Sequence, residues 1–97
     1  MTSKQRAYLK SLASTIQPIF QVGKSVVTPE FTTAIDEALE ARELIKINVL
    51  KNCIDEPTNV AILISERTKS EVVQVIGRKI VLYRPSKNNP KIVLPKK

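Results

Sequence analysis

Between Thr28 and Leu50 the apolar residues change period once, in the stretch TPEFTTAIDEALEARELIKINVL. Phe31, Ala34, Ile35, Ala38 and Leu39 recur at helical spacing and mark one apolar stripe. Ile45, Ile47 and Val49 then alternate with Lys46 and Asn48, the pattern of a strand with one buried face. Thr28 suits an N-cap, and Pro29 suits the first helical position, where its missing N–H costs nothing. A helix that runs on into a half-buried strand needs a sheet to pair with and pack against. The chain therefore reads as α/β.

The flanking segments fit that class. Ser3 can cap a first helix to about Ser14, with Leu9, Leu12, Ala13 and Ile16 toward the core. Residues 16–22, around Pro18, read as a short strand ending at Gly23. Residues 51–58 form a loop. Residues 60–64 have strand propensity, but the polar continuation to Ser70 and the total length select a helix over 59–69. Residues 71–77 and 79–84 are two strands about the tight Gly77-Arg78 turn, an antiparallel hairpin. The tail from Pro85 is polar and basic and adds a short edge strand at 92–94. The order is helix-strand-helix-strand-helix-strand-strand. Its two strand-helix-strand units imply parallel crossovers, and the final hairpin makes the four-stranded sheet mixed. A compact two-layer α/β single domain is expected.

Bulk properties exclude several functions. A chain of 97 residues fits one domain, and its 42% hydrophobic content is ordinary for a soluble globular protein. No apolar run is long enough to span a bilayer, and the N-terminus has no signal-peptide core, so a cytoplasmic location is expected. There is no His, and Cys53 is the sole cysteine. Structural zinc sites, internal disulfides and imidazole or Cys-His catalysis are thereby excluded. Neither an enzymatic activity nor a cofactor is expected. Cys53 reads as an incidental thiol.

Charge is sorted along the chain. Residues 1–29 carry four bases and no acid, residues 72–97 carry seven bases and no acid, and all nine acids lie within 30–71. With a net charge of +7, this sorting makes a positive field over part of the surface, the footprint of a polyanion partner. Glu30, Asp36, Glu37, Glu40 and Glu43 occupy much of the rest of the second helix; Asp36, Glu37 and Glu40 could form a metal or acid/base cluster, but read as an exposed acidic face turned away from that partner. The stretch Gly23-Lys24-Ser25-Val26 lies between a strand and a helix start, where free N–H groups favour an anion. There are four aromatic residues. Phe20 and Phe31 fit the core pattern, so Tyr8 and Tyr83 alone are left to stack on bases. Contacts with phosphates and overall shape should therefore dominate.

Four stretches, SKQRAYLKSLA, PIFQVGKSVV, IDEALEARELIKINVL and VVQVIGRKIVLYRPS, occur in the order and spacing of one family. Over residues 3 to about 87 the chain resembles the CRM domain (chloroplast RNA splicing and ribosome maturation), in its stand-alone bacterial, YhbY-like form. The resemblance implies a fold similar to the C-terminal domain of translation initiation factor three. It implies a CRM-like RNA-binding domain over 1–87 followed by a basic tail over 88–97. It also implies binding to RNA in precursors of the large ribosomal subunit. A monomer is expected, with no membrane or small-molecule substrate. The family's Gly-x-x-Gly loop falls on Gly23 to Val26: Gly23 and Lys24 match, and Val26 departs from it. On this reading Gly23, Lys24 and Ser25 contact a phosphate. Lys4, Arg6 and Lys10 add a ridge on the first helix, and Arg78, Lys79 and Arg84 add the charge of the hairpin. A protein-interaction adaptor, docking an acidic partner on the basic surface, is the alternative. DNA is not excluded by charge alone. Neutralising about five phosphates predicts a roughly 10²–10³-fold loss of affinity between 50 and 200 mM salt. In an RNA titration at fixed salt, Lys24→Glu should weaken binding more than Lys97→Glu; equal effects would rule out a localised loop site.

Overall fold

The structure, a computed structural model, describes residues 1–24 and 27–96. Helix α1 (Ser3–Ala13) is capped by Thr2, one residue before the expected Ser3. The Thr2 hydroxyl accepts the Gln5 N–H and the Gln5 side chain accepts the Thr2 N–H, both at 3.1 Å, a reciprocal box that Ser3 would have no partner for. Strand β1 is only Phe20–Val22, shorter than the expected 16–22. Pro18 has no N–H to give a ladder, and pairing toward the neighbouring strand starts with the Ile19 N–H on the Lys46 carbonyl, at 3.0 Å.

Helix α2 (Pro29–Arg42) begins as expected, with the Thr28 hydroxyl accepting the Phe31 N–H at 3.1 Å. Strand β2 (Leu44–Val49) follows. Helix α3 (Pro57–Thr68) confirms the helical reading of the ambiguous apolar run, because Val60, Ala61, Ile64 and Thr68 all fall on its buried face. Strands β3 (Glu71–Ile76) and β4 (Lys79–Tyr83) form the hairpin. Its two-residue loop has Gly77 at φ +54, the left-handed conformation that favours glycine at the first central position.

The sheet order is β1-β2-β4-β3. β1 and β2 are parallel, as the first crossover requires, whereas β4 lies antiparallel between β2 and β3. The second crossover therefore skips one strand, and the hairpin folds β4 back into the gap. This is the mixed four-stranded sheet expected of the α/β fold.

Both faces of the sheet are covered, which adds a layer to the two expected. On one face Ile45, Ile47 and Val49 of β2 and Ile80 and Leu82 of β4 meet Ile35 and Leu39 of α2 and Val60 and Ile64 of α3. On the other, Leu44, Val73, Val81 and Tyr83 meet Leu9 and Ala13 of α1, with Ile92 and Leu94 of the tail packed alongside. Each fully buried Leu or Ile contributes about 1.5–3 kcal/mol. A bulge at Val73 shifts the register of β3, since Val72 pairs with Leu82 but Gln74 with Val81. The extra residue lets Val72 and Val75 share the α2/α3 face.

No strand forms over the described tail, residues 85–96. Its backbone instead bonds to two carboxylates. Glu43, which helical spacing sets outside the apolar stripe, is fully buried. One of its oxygens accepts the Ser86 N–H and the other accepts the N–H groups of Lys91 and Ile92, each at 2.7 Å. Burial pushes this carboxyl up, but the three N–H donors and the Lys91 ammonium outweigh it and hold the group below the ordinary carboxylate range. Glu40 accepts the Ser86 hydroxyl at 2.6 Å and the N–H groups of Lys87 and Asn88. Led by the Ser86 bond, these lower its pKa from 4.5 to about 2.

A carboxyl depressed in the folded state stabilises above its unfolded value and ceases to do so as pH falls through the folded one. Tail docking should therefore be intact above pH 4.5 and weaken progressively toward pH 2. Amide hydrogen exchange at residues 86–92 measures this directly. Glu43→Gln, which removes the charge while keeping most of the shape, should speed exchange of Ser86, Lys91 and Ile92 already at neutral pH. Unchanged protection in that variant would mean the tail is held without the Glu43 charge, by Glu40 and the packing of Ile92 and Leu94.

Candidate nucleic-acid interface

The parallel pair β1 and β2 ends where the β3–β4 turn begins, so three loops meet at one end of the sheet. The Leu50 N–H donates to the Val22 carbonyl at 2.8 Å, and the Val49 N–H to the Arg78 carbonyl at 2.7 Å. The Arg78 guanidinium returns to the Leu50 carbonyl at 3.3 Å. Gly23 lies beside this junction without a left-handed backbone. A Cβ added there would stand 3.4 Å from both Asn52 Oδ1 and Leu50 Cδ1, ordinary contact with movable side chains. Gly23 is half-buried, with its backbone beside the Asn52 amide side chain. Lys24 is exposed beyond it, and Lys51 is exposed on the neighbouring loop. Ser25 and Val26, the remaining positions of the loop motif, lie outside the described residues.

Two features temper the helix start as an anion site. Thr28 already takes the Phe31 N–H, and Glu30 stands in the first turn of α2, where it complements the helix dipole itself. A cation lies nearby on the other side: Arg67, at the end of α3, donates to the Val27 carbonyl at 3.3 Å.

The basic surface continues onto the face of the sheet that α1 partly covers. The alternation that buries Ile45, Ile47 and Val49 against α2 and α3 turns Lys46 and Asn48 to the opposite side. Lys79 pairs across from Asn48, and its ammonium donates to the Asn48 Oδ1 at 3.3 Å. Lys10 and Ser14 approach from α1, leaving a groove of about 380 Å³ whose remaining lining is Ala13, Gln74, Ile76 and Val81. Lys10, Lys46 and Lys79 thus converge from a helix and two strands. Among the described residues none of the three has a carboxylate within ion-pair distance.

The other sequence-predicted cations are placed differently. Lys4 is exposed on the first turn of α1. Arg6 does not stand free on the ridge: its guanidinium donates to the Val72 carbonyl and, at 3.2 Å, to that of Val73, the carbonyls at the bulge. Arg84 is buried at the far end of β4. It is bonded to the Asp36 carboxylate, to the Thr68 carbonyl at 2.9 Å and to the Asp36 carbonyl at 3.0 Å, with Glu40 at 3.8 Å. The hairpin's charge is therefore split, with Arg78 and Lys79 at the loop end and Arg84 inside the fold. The acidic face of α2 is split likewise. Glu30, Asp36 and Glu37 are exposed, Asp36 while bonded to Arg84, whereas Glu40 and Glu43 are half-buried and buried and hold the tail.

Tyr83, one of the two tyrosines left for stacking, is buried under α1 and the tail. Burial, and then the Glu43 charge, push its hydroxyl up. Phe20 and Phe31 pack edge to face, 5.7 Å apart, against the core. Tyr8, 40% exposed, is the remaining aromatic with an accessible ring. Lys46 and Lys51 were missed because a local charge count assigns their segment to the acidic third. The alternation of LIKINVL was the available signal for Lys46.

The family model for the CRS1/YhbY (CRM) domain matches residues 1–84. The chain belongs to this family. It is 48% identical over 95 residues to a Bacillus subtilis protein named probable RNA-binding protein YqeI, covering 98% of this chain and 99% of that one. It is 38% identical over 99 residues to a Haemophilus influenzae protein named RNA-binding protein, covering 100% of this chain and 97% of its relative. The solution structure of a Staphylococcus aureus protein, described as a candidate RNA binder, superposes with a TM-score of 0.81 at 52% identity, covering 98% and 99% of the two chains. Among the described residues no helix is long and apolar enough to cross a membrane.

Within this CRM domain the two ends of β4 should respond differently to substitution. Arg84→Ala leaves Asp36 and the Thr68 carbonyl without their donor and should cost about 1–3 kcal/mol in urea denaturation. Lys79→Ala, on the open groove, should stay within about 0.5 kcal/mol of the parent. Equal losses would show that Arg84 is not part of the frame.

Proposed function

We propose that this CRM domain binds RNA without chemistry, through phosphate and shape contacts, and that its target is ribosomal RNA in large-subunit precursors in the cytoplasm. The observation that carries this reading is the convergence of Lys24, Lys51, Arg78 and Lys79 at one end of the sheet, continued by Lys46 and Lys10 along the α1 face. Such a stripe of cations can neutralise several phosphates of one backbone, and without a stacking platform it favours folded RNA over a single strand. The RNA-binding names of the relatives support the partner class. The likeness to YhbY-type proteins motivates the ribosomal target. In this reading Gly23 lets a phosphate approach, Lys24 and Ser25 hold it, and Lys4 extends the surface along α1. Arg6 and Arg84 fix the frame that presents it, and the domain acts as a monomer.

Sedimentation of the tagged chain in a lysate gradient tests the target. At low salt the protein should migrate with large-subunit or slightly lighter particles, and at high salt it should return to the top. The double variant Lys24→Glu, Lys79→Glu should stay at the top at both salts. Comigration that survives ribonuclease treatment would instead favour the adaptor reading, with an acidic protein in the groove.

A further inference from the structure

We propose that the groove between α1 and the sheet receives one unpaired nucleotide of the bound RNA, its base against Ile76 and Val81 and its flanking phosphates on Lys10, Lys46 and Lys79. The proposal rests on the RNA-binding reading above and adds a selectivity that phosphate contacts do not supply. Its size is the first argument. A groove of about 380 Å³ lies in the range of small-ligand sites, on the scale of one base and its sugar.

Charge is the second. Three lysines line one recess with no carboxylate within ion-pair distance among the described residues, and such a cluster is relieved by an entering anion. The third is the wall. Ile76, at the end of β3, is 60% exposed, a large apolar side chain amid lysines. Extruded bases are held between apolar side chains as well as aromatic ones. This wall therefore fits a base face in a domain with few accessible aromatic rings.

The fourth argument is how Gln74 reaches the groove. In regular alternation Gln74 would share the face of Val72, against α2 and α3. The bulge at Val73 reverses that parity and brings the Gln74 side chain to the groove lining instead. Its amide offers a donor and an acceptor together, the pattern that pairs with a base edge. A fully paired A-form stem offers no base face to the wall, and only its minor-groove edges to the amide. Its base faces are stacked, and its major-groove edges are out of reach. An unpaired nucleotide exposes both.

The test compares two RNA hairpins of the same stem, one fully paired and one with a single bulged nucleotide, titrated against the full chain at fixed low salt by fluorescence anisotropy. Each of the four bases is placed at the bulge in turn. At least one bulged hairpin should bind about tenfold or more tighter than the paired one, the scale of a single stacked base. Ile76→Ser and Gln74→Ala should each remove most of that preference while leaving affinity for the paired stem within about twofold. Equal binding of paired and bulged stems would overturn the nucleotide site and leave the RNA-binding reading standing. A preference untouched by both substitutions would overturn it too. Failure of every hairpin to bind at low salt would overturn both readings. Full competition by adenosine or uridine monophosphate at micromolar concentration would reassign the groove to a free nucleotide.

Discussion

Much of this structure depends on a carboxylate with no access to water. Glu43 ends α2 at φ 67, a left-handed backbone that an ordinary side chain adopts at a cost and that helix ends usually give to glycine. Its N–H closes the helix on Leu39 and its carbonyl accepts the Arg84 N–H at 2.9 Å. The side chain then satisfies three N–H groups of the tail. A glycine would relieve the backbone but leave those donors buried without an acceptor. The strain persists because the surroundings over-determine the position. Through this one residue the end of α2, the exit of β4 and the path of the tail become a single rigid corner.

That corner has a consequence on the opposite side of the sheet. With the tail fixed, Ile92 and Leu94 lie beside α1 and complete the second core. Gln5 helps hold the end in place by donating to the Pro95 carbonyl at 3.0 Å. β4 is then buried on both faces, with Ile80 and Leu82 on one and Val81 and Tyr83 on the other. Because side chains alternate, the lysines of β2 and β4 cannot share the α2/α3 face with the acids. Lys46 and Lys79 emerge beside α1 wherever α1 and the tail leave the sheet open. The groove is what remains after that packing.

The sequence was most legible where signals are local. Thr28-Pro29 marked the start of α2, the alternation of residues 44–49 marked β2, and Gly77-Arg78 marked the hairpin turn. The choice of helix for α3 also rested on local pattern and length. Long-range facts were out of reach. Arg84 and Lys79 look alike in KIVLYR, yet one meets Asp36, 48 residues away in the chain, while the other faces an open groove. Glu43 resembles its neighbours on α2 until the chain returns at residues 86–92 to supply N–H donors. Tyr83 and Tyr8 were equally available for stacking until α1 and the tail covered one of them. Of the loop, Gly23 and Lys24 were found where the motif put them. Lys46, by contrast, was hidden from a charge count and visible only to strand parity.

These placements separate two uses of charge that composition merges. Glu43 and Glu40 hold the tail at close range, through hydrogen bonds in buried or half-buried surroundings, and Asp36 meets the buried Arg84 from an exposed position. Salt screens the buried contacts little. The cations on the loops and the α1 face are exposed or half-buried and, among the described residues, have no carboxylate within ion-pair distance, so salt acts on them strongly. One chain can therefore lose its attraction for a polyanion as ionic strength rises while its fold stays intact. The tail's lysines follow the same division. Its backbone is held by Glu40 and Glu43, so the ammonium of Lys87 adds to the outer field without being needed for docking. Lys91 does both, with its N–H on Glu43 and its ammonium on the Ala41 carbonyl at 3.1 Å. The fold thus divides charge by use: Glu43, Glu40 and the buried Arg84 fasten the frame, while the other acids and most of the lysines lie exposed at the surface.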